Sequence, residues 1–353
     1  MNKLPSLVIL GTGWSSYSLL RSVKTSLYRV IVISPRNHFL FTPLLASTTV
    51  GTLEFRSIIE PIRNFVFEHA NDLHLSSATS VDFAKQTVMC QSSLSPDIQY
   101  PVEYDKLVIG VGALPSTFGV PGVHEHCFFL KEITDARAIR SRLLDNFEKS
   151  LEPSISETER SRLKHVDDLA RLYKDFGAPV KVTLIESRKI LGSFDQRLQA
   201  YAEKKLRQRE NFTMVKAFVT EVKQDCVILN DGTSISCGLV VWSTGQILTN
   251  NCLNIISDPS KNSFAIGDCG DIIDMPLPFT AQVAEREGRY LAERLNCLAK
   301  GKEVKPFQFK SMGCWLYIGG YEGLSDLPDF KLKGFPSWFL WRSAYLTRLA
   351  AGA

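Results

Sequence analysis

The sequence predicts an α/β fold built on a doubly wound parallel sheet, and three stretches predict it. Residues 7–16, LVILGTGWSS, read as a buried strand, a glycine turn and the start of a helix. Residues 104–115, YDKLVIGVGALP, read as a second buried strand ending in Gly-x-Gly, and residues 263–271, SFAIGDCGD, as a third that delivers Gly267 and Asp268 to a loop before a helix. A glycine turn between strand and helix is where a phosphate is held, because the first amides of a helix have no partner within it.

The elements follow in order. The first helix carries Tyr17, Leu20 and Val23 on one side, and YRVIVISPRNHF (28–39) is the second strand, completing an opening β-α-β unit. A mixed stretch runs to about residue 90 and a polar, proline-containing excursion, QSSLSPDIQYP, follows it. From Glu132 the residues Ile133, Ala136, Ile139 and Leu143 fall at helical spacing. EPSIS breaks that helix, Ser156 with Glu159 forms a capping box, and the stripe Leu163, Val166, Leu169, Leu172, Tyr173 and Phe176 predicts one helix across 157–176. GAPVKVTLIES (177–187) is a strand ending near Glu186, and a charged helix is expected near 195–210. DCVILNDGTSISCGLVVW (225–242) predicts a hairpin turning at Asn230, Asp231 and Gly232, its return strand running into STG at Gly245. The last core strand leads to a helix from about Thr280 to Lys300. In the tail, Trp338, Trp341, Tyr345 and Leu349 recur at helical spacing; such a stripe is usually core, but the basic, acid-free surroundings favour an interfacial helix.

With 353 residues there is room for two domains, and 44% hydrophobic with 22% charged residues excludes wholesale disorder. The net charge of +4 does not suggest nucleic acid; residues 331–353, with Lys331, Lys333, Arg342 and Arg348 and no acid, equal the whole excess. The eight cysteines show neither C-x-x-C nor metal-ligand spacing, so reduced thiols and no metal are expected. The absence of cysteine from 35–60 argues against a dithiol disulfide reductase. No run of about 18 apolar residues predicts a spanning helix. The first strand begins by Leu7, which leaves no room for a transit peptide.

Gly11 permits a tight turn, Gly13 lets the backbone approach a pyrophosphate, and Ser16 stands where a third glycine is usual but is small enough for helix–strand packing. Ser34 ends the second strand where a carboxylate normally grips a ribose, and Arg36 can reach a phosphate; a surface loop is the alternative reading of both. Asp268 can accept hydrogen bonds from sugar-like hydroxyls. Together the three glycine-bearing strands are the pattern of a two-dinucleotide-binding-domain flavoprotein. Glu186 has the position of a ribose-gripping carboxylate, yet no glycine lies between Arg160 and Phe176, so the turn that should precede it is missing.

GTGWSS, VISPRNHFLFTPLLASTTVGTLEFRSIIEPIR, LVIGVGALPSTFGVPGV, FAIGDC, FTAQVA and GFPSWFLWRSAYLTRL, in that order over nearly the whole chain, resemble the type II NADH:quinone oxidoreductases, the alternative NADH dehydrogenases of mitochondria and bacteria. The resemblance implies an FAD domain with an inserted, truncated NAD domain: FAD domain at 1–130 and 251–310, NADH domain at 131–250, and a C-terminal membrane-associating helical region at 311–353. It implies FAD contacts at Gly11, Gly13, Ser15, Ser16, Ser34, Arg36, Thr42, Pro43, Gly112 and Asp268, with Ala281, Gln282 and Val283 facing the isoalloxazine. Gln282 and Glu285 would be the catalytic residues lining a quinone tunnel, and Glu186 and Gly245 residual NADH contacts. Glu285 or Glu287 would donate protons to quinone; a solvated helix face is the other reading of Glu285, Arg286 and Glu287. The implied activity is non-proton-pumping transfer from NADH to ubiquinone, peripheral to the mitochondrial inner membrane in the respiratory chain, and a homodimer is an assembly the resemblance allows. The family pattern breaks after Val166, where a strand, glycine turn and helix are missing, and again after Gly245-Gln246. A catalytically inactive flavin-binding remnant at a membrane surface, or with a protein partner, is therefore the alternative.

Overall fold

The computed structural model describes residues 4–350 apart from 66, 68, 114–116, 157–158, 160–181, 187–194, 209–211, 243–247, 251, 274–276, 279, 312 and 328. The helix expected across 157–176 and the turn at Gly245 lie outside the described residues, apart from Glu159. The chain divides into two units: Met1–Pro43 with Ile58–Leu114 and Thr244–Phe309, and Leu44–Ser57 with Pro115–Ser243 and Lys310–Ala353.

The first unit holds a seven-stranded sheet in the order Ser263–Ala265, Lys106–Ile109, Ser6–Leu10, Arg29–Ser34, Leu73–Asp82, Thr87–Ser92, Gln99–Glu103. The first five strands are parallel and the last two antiparallel. Leu7, Val8 and Ile9 are wholly buried, which is why this central strand reads as a continuous apolar run rather than an alternating one. Val8, Leu10, Ile31, Ile33 and Leu107 pack against Val88, Cys90, Val102 and Tyr104 of the antiparallel meander. Each such burial contributes roughly 1.5–3 kcal/mol before the entropy of ordering is set against it. The end of the mixed stretch, from Leu73, enters this meander. Its polar excursion is the loop closing the hairpin, where the Ser92 amide donates to the Ile98 carbonyl at 3.0 Å, and Pro101 lies on the edge strand, where its missing N–H is tolerated.

Two helices, Trp14–Ser22 and Ala281–Leu298, pack against each other in this unit. Their close approach depends on small residues: a Cβ at Gly288 would collide with the Ser15 carbonyl, and Ser18 Oγ donates to the Glu285 carbonyl at 2.7 Å. Register brings the carboxyl ends of four parallel strands level, with Leu10 beside both Ile33 and Ile109, and Ile109 beside Ala265. That edge, where strand order reverses about the first strand, is where open α/β sheets bind ligands.

In the second unit, helix Ile133–Leu151 starts behind a Glu132/Asp135 capping box and buries Ala136, Ile139 and Leu143, the stripe read from the sequence. Ile139 and Leu143 pack with Val50. Strands Val182–Ile185 and Phe212–Val215 form one parallel pair, and Phe128–Phe129 and Val241–Trp242 another. Among the described residues no further strand joins either pair, the open edge expected where a central strand is lacking. Strands Val219–Val222, Cys226–Leu229 and Ser234–Ser236 form a meander whose buried face, Val222, Val227 and Leu229, packs with Ile185, Val215 and Trp242. The hairpin does turn at Gly232, where φ is +81°, but its return strand stops at Ser236 instead of running on to Trp242. The Gly238 carbonyl is taken by Arg142 and Asn146, which turns the chain toward helix Ile133–Leu151.

The C-terminal helix Phe335–Ala350 packs on an antiparallel sheet of Cys314–Gly319, Glu322–Asp326 and Lys331–Gly334. Two residues of the aromatic stripe, Trp338 and Trp341, have packing partners in this sheet region. Trp341 is buried and stacks on Tyr317 (centroids 5.1 Å apart), Trp338 meets Tyr321 edge-on, and Ser337 and Ser325 share a buried 2.6 Å hydrogen bond. The sheet preceding the helix supplies the packing partner that the sequence did not reveal. On this helix, among the described side chains, Phe335 and Phe339 are large, apolar and exposed, 58% and 60% accessible, one turn apart. Among the described residues no helix is long and apolar enough to cross a membrane.

Candidate functional site

The level carboxyl ends of the sheet build a site from four short segments of the first unit. The first is the turn Gly11-Thr12-Gly13. The Gly11 amide donates to the Ile33 carbonyl at 2.8 Å, tying the turn to the second strand, and its φ of +93° is open to glycine. A Cβ there would stand 2.6 Å from the Gly110 carbonyl oxygen, so the two glycine-bearing turns are in contact. Gly13 caps helix Trp14–Ser22 with no side-chain cap, leaving the first-turn amides to an anion. Ser15 and Ser16 are buried with their hydroxyls turned to the carbonyls of Ile266 (3.3 Å) and Gly110 (3.4 Å); what they offer a ligand is backbone.

The second segment follows Ser34. Its Oγ accepts from the Arg36 amide at 3.1 Å and lies 3.3 Å from Thr12 Oγ1, which accepts from Arg36 Nε at 3.2 Å and donates to the His38 carbonyl at 3.0 Å. The predicted pair Ser34 and Arg36 is thus locked into a network rather than a loose surface loop. His38 Nδ1 lies 2.9 Å from Asn37 Oδ1 and so carries the proton, leaving Nε2 as an acceptor. Nε2 is buried and without a partner among the described residues, and burial, with Arg36 beside it, pushes the imidazole down to about 4 and keeps it neutral. Thr12 and His38 were missed by sequence reasoning; the middle position of Gly-x-Gly and the NHF after the strand carry no recognisable signal by themselves.

The third segment is Gly267–Cys269. Gly267 has φ +76°, and a Cβ on it would stand 2.7 Å from Ser15 Oγ. The Gly267 amide donates to Glu287 Oε2 at 2.6 Å, and the half-buried Asp268 follows directly. The fourth is the start of helix Ala281–Leu298, capped by Thr280 Oγ1, which accepts from the Val283 amide at 3.3 Å. Val283 is buried, Ala281 and Gln282 are half-buried, and Glu285 pairs with Arg289 at 2.9 Å. Glu287 is the surprise: it is 2% accessible, and burial, with Asp268 nearby, pushes its carboxyl up to about 7. The solvated-face reading of Glu285, Arg286 and Glu287 fails for this residue. Its partner is the Gly267 amide, 20 positions earlier in the chain, so no local pattern announces its burial.

Of the remaining expected contacts, Thr42 Oγ1 accepts from Trp14 Nε1 at 2.9 Å, with the half-buried Pro43 next in the chain. Gly112, φ +72°, has nothing within 4 Å of where its Cβ would be. Glu186 belongs to the second unit, where its amide donates to the Val215 carbonyl at 3.0 Å as the strand ends. A flavin dinucleotide needs unpaired amides for its pyrophosphate, acceptors for its hydroxyls and room against glycine backbone. The uncapped helix start, the orphaned His38 Nε2 with Asp268, and the open faces of Gly13 and Gly112 fit those needs.

Fold and site together define a flavin- and pyridine-nucleotide-dependent oxidoreductase, and the profile of the pyridine nucleotide-disulphide oxidoreductases matches residues 5–160 and 167–288. The unmatched piece, residues 161–166, ends at the step from Val166 to Asp167. The internal alternative NAD(P)H-ubiquinone oxidoreductase A1, mitochondrial, of Arabidopsis thaliana is 38% identical over 415 residues, covering 98% of this chain and 81% of the relative. A probable NADH dehydrogenase of Dictyostelium discoideum is 39% identical over 386 residues, covering 98% and 86%. This chain belongs to that family, the alternative or type II NADH dehydrogenases. Among solved structures, NDH2 from Plasmodium falciparum in complex with NADH superposes with a TM-score of 0.90 at 24% identity, over 98% of this chain and 95% of that one. Because 98% of 353 residues is about 346, about 70 positions of the Arabidopsis alignment have no counterpart here.

Proposed function

We propose that this chain binds FAD on its first unit and is a non-proton-pumping NADH:ubiquinone oxidoreductase, peripheral to the mitochondrial inner membrane, in which NADH binding is weakened by the missing pyrophosphate turn. The observation that carries the reading is the glycine-turn edge of the sheet, with its uncapped helix start, in a chain more than a third identical to named NADH dehydrogenases over nearly its whole length. FAD, when bound, supplies the hydride acceptor and passes electrons on in pairs.

The chain's own residues supply binding and orientation. Gly11 and Gly13 let backbone amides approach the pyrophosphate, and Arg36, held by Thr12 and Ser34, adds charge to that end. His38 Nε2 and Asp268 accept from hydroxyls. Ala281 and Val283 form an apolar floor at the helix start, and Gln282, with Glu285 held by Arg289, orients quinone. Glu186 accepts from the adenosine ribose of NADH and disfavours a 2′-phosphate. Phe335 and Phe339, with Lys331, Lys333 and Arg342 in the same C-terminal region, make the face that would rest on a membrane surface.

The test is purification followed by flavin release and a quinone-reductase assay. One FAD per chain with NADH:quinone turnover well below that of an intact relative is expected. Flavin-free protein would remove the reading. Flavin with no turnover at any NADH concentration would leave the inactive remnant, a reading favoured by the missing segments.

A further inference from the structure

Among the described residues of the first unit three carboxylates are buried to within 3% accessibility, and two are compensated. Asp72 pairs with Arg29 at 2.7 Å, and Asp258 accepts from the amides and hydroxyl of the Ser260–Ser263 turn. Glu287 has no such compensation. Among the described residues its hydrogen-bond partner is the Gly267 amide, and the charge facing it is the carboxylate of Asp268.

The groups around Glu287 can be named element by element. The segment Gly267–Cys269 brings Asp268 and the Cys269 thiol, which burial holds protonated by pushing it up to about 11. Helix Trp14–Ser22 carries Arg21 as its charged residue, over the Tyr17 ring, and meets the helix of Glu287 through Ser15 and Ser18. On its own helix Glu285 is paired with Arg289, and Arg286 is half-buried. No cation neutralises Glu287 among the described residues. A glutamine would accept from the Gly267 amide equally well, so loop geometry does not require an acid here. What the acid adds is a proton site.

We propose that Glu287 is a charge-compensating proton acceptor, binding a solvent proton when the flavin site is reduced and releasing it on reoxidation. The inference rests on the reading that FAD occupies this edge. Two electrons and one proton arrive together as hydride, leaving NAD+ and one added negative charge on the cofactor. A solvent proton then binds a carboxylate oxygen of Glu287, and no bond to carbon changes there. On reoxidation Glu287 would release its proton beside the one the bound flavin would give up with two electrons, matching the two protons that turn a quinone into a quinol. Glu287 stands six positions, about 9 Å of helix rise, beyond Ala281. A unit charge at about that distance in a protein interior changes a carboxyl's proton affinity by roughly tenfold.

The experiment is a spectroelectrochemical titration of the FAD-loaded protein from acid to alkaline pH, with wild type, Glu287→Gln and, as control, Glu293→Gln, an exposed carboxylate of the same helix. Between about pH 7 and 8 the wild type and Glu293→Gln should take up about half a proton more per flavin reduced than Glu287→Gln, with the curves converging in acid and again above about pH 9. Equal slopes in wild type and Glu287→Gln overturn the proposal while leaving FAD binding intact. Wild-type protein that holds no flavin overturns the FAD reading and this one with it. If Glu287→Gln does not fold, the wild type decides alone: uptake that does not rise above one proton per flavin between about pH 7 and 8 refutes the role.

Discussion

Replacing Glu287 by glutamine should make the protein more stable at alkaline pH, and the size follows from the site. The carboxyl is raised from an ordinary 4.5 to about 7, chiefly by burial, secondarily by Asp268, with the Gly267 hydrogen bond opposing. At about 1.4 kcal/mol per unit, ionising it in the folded state costs on the order of 3 kcal/mol more than in the unfolded chain. The folded value lies above the unfolded one, so this group's contribution is fully favourable below about pH 4.5 and is lost as pH rises through about 7. Glutamine keeps the hydrogen bond and never ionises. The wild-type-minus-mutant difference in unfolding free energy should therefore change by about 3 kcal/mol between pH 4.5 and pH 8.5, to the disadvantage of the wild type. For a chain of this length that is on the order of 4 °C in Tm. Thermal melts of both proteins at several pH values measure it. A difference that does not vary with pH would refute the reasoning, because it would mean the carboxyl titrates alike in both states.

Three further outcomes are expected. Gly11→Ala must place a Cβ 2.6 Å from the Gly110 oxygen at φ +93°; purified protein should be nearly flavin-free and destabilised by roughly 1–3 kcal/mol or more, read by absorbance after denaturation and by urea titration. His38→Phe removes the acceptor Nε2, which has no partner among the described residues to lose, so FAD should dissociate roughly tenfold more readily, by fluorescence of released flavin, with little change in Tm. Trp341→Ala, which empties the contact with Tyr317, should cost about 3–5 kcal/mol, whereas Phe339→Ser should leave stability within about 0.5 kcal/mol and weaken co-sedimentation with anionic vesicles; equal effects of the two would contradict the assignment of the helix faces.

The parallel core of the first unit was legible because strands buried on both sides must be apolar at every position, as Leu7–Leu10 and Lys106–Ile109 nearly are. The glycine turns were legible because Gly11 and Gly267 sit at positive φ that few other residues accept. Helix Ile133–Leu151 kept its period because one face is covered by residues close to it in the fold and the other meets solvent. What escaped depends on partners distant in sequence. Glu287 looks like one charge in a run until the Gly267 amide, 20 positions earlier, is seen to donate to it. The Trp338 and Trp341 stripe looked unpartnered because the short strands of Cys314–Gly334 carry little alternation to announce a sheet. The end of the hairpin at Ser236 is set by side chains of a helix some 90 residues earlier, through Arg142 and Asn146 on the Gly238 carbonyl.

The central claim is that an intact flavin site is joined to an NADH site lacking its pyrophosphate turn. Anaerobic mixing of the purified, flavin-loaded protein with increasing NADH, followed at the flavin's visible absorbance band, tests it most directly. The account predicts that dithionite bleaches the flavin fully while NADH does so slowly, saturating at concentrations at least about tenfold above those of an intact relative, as expected when a helix N-terminus no longer meets the dinucleotide phosphates. Rapid bleaching that saturates at an intact relative's NADH concentration would contradict it.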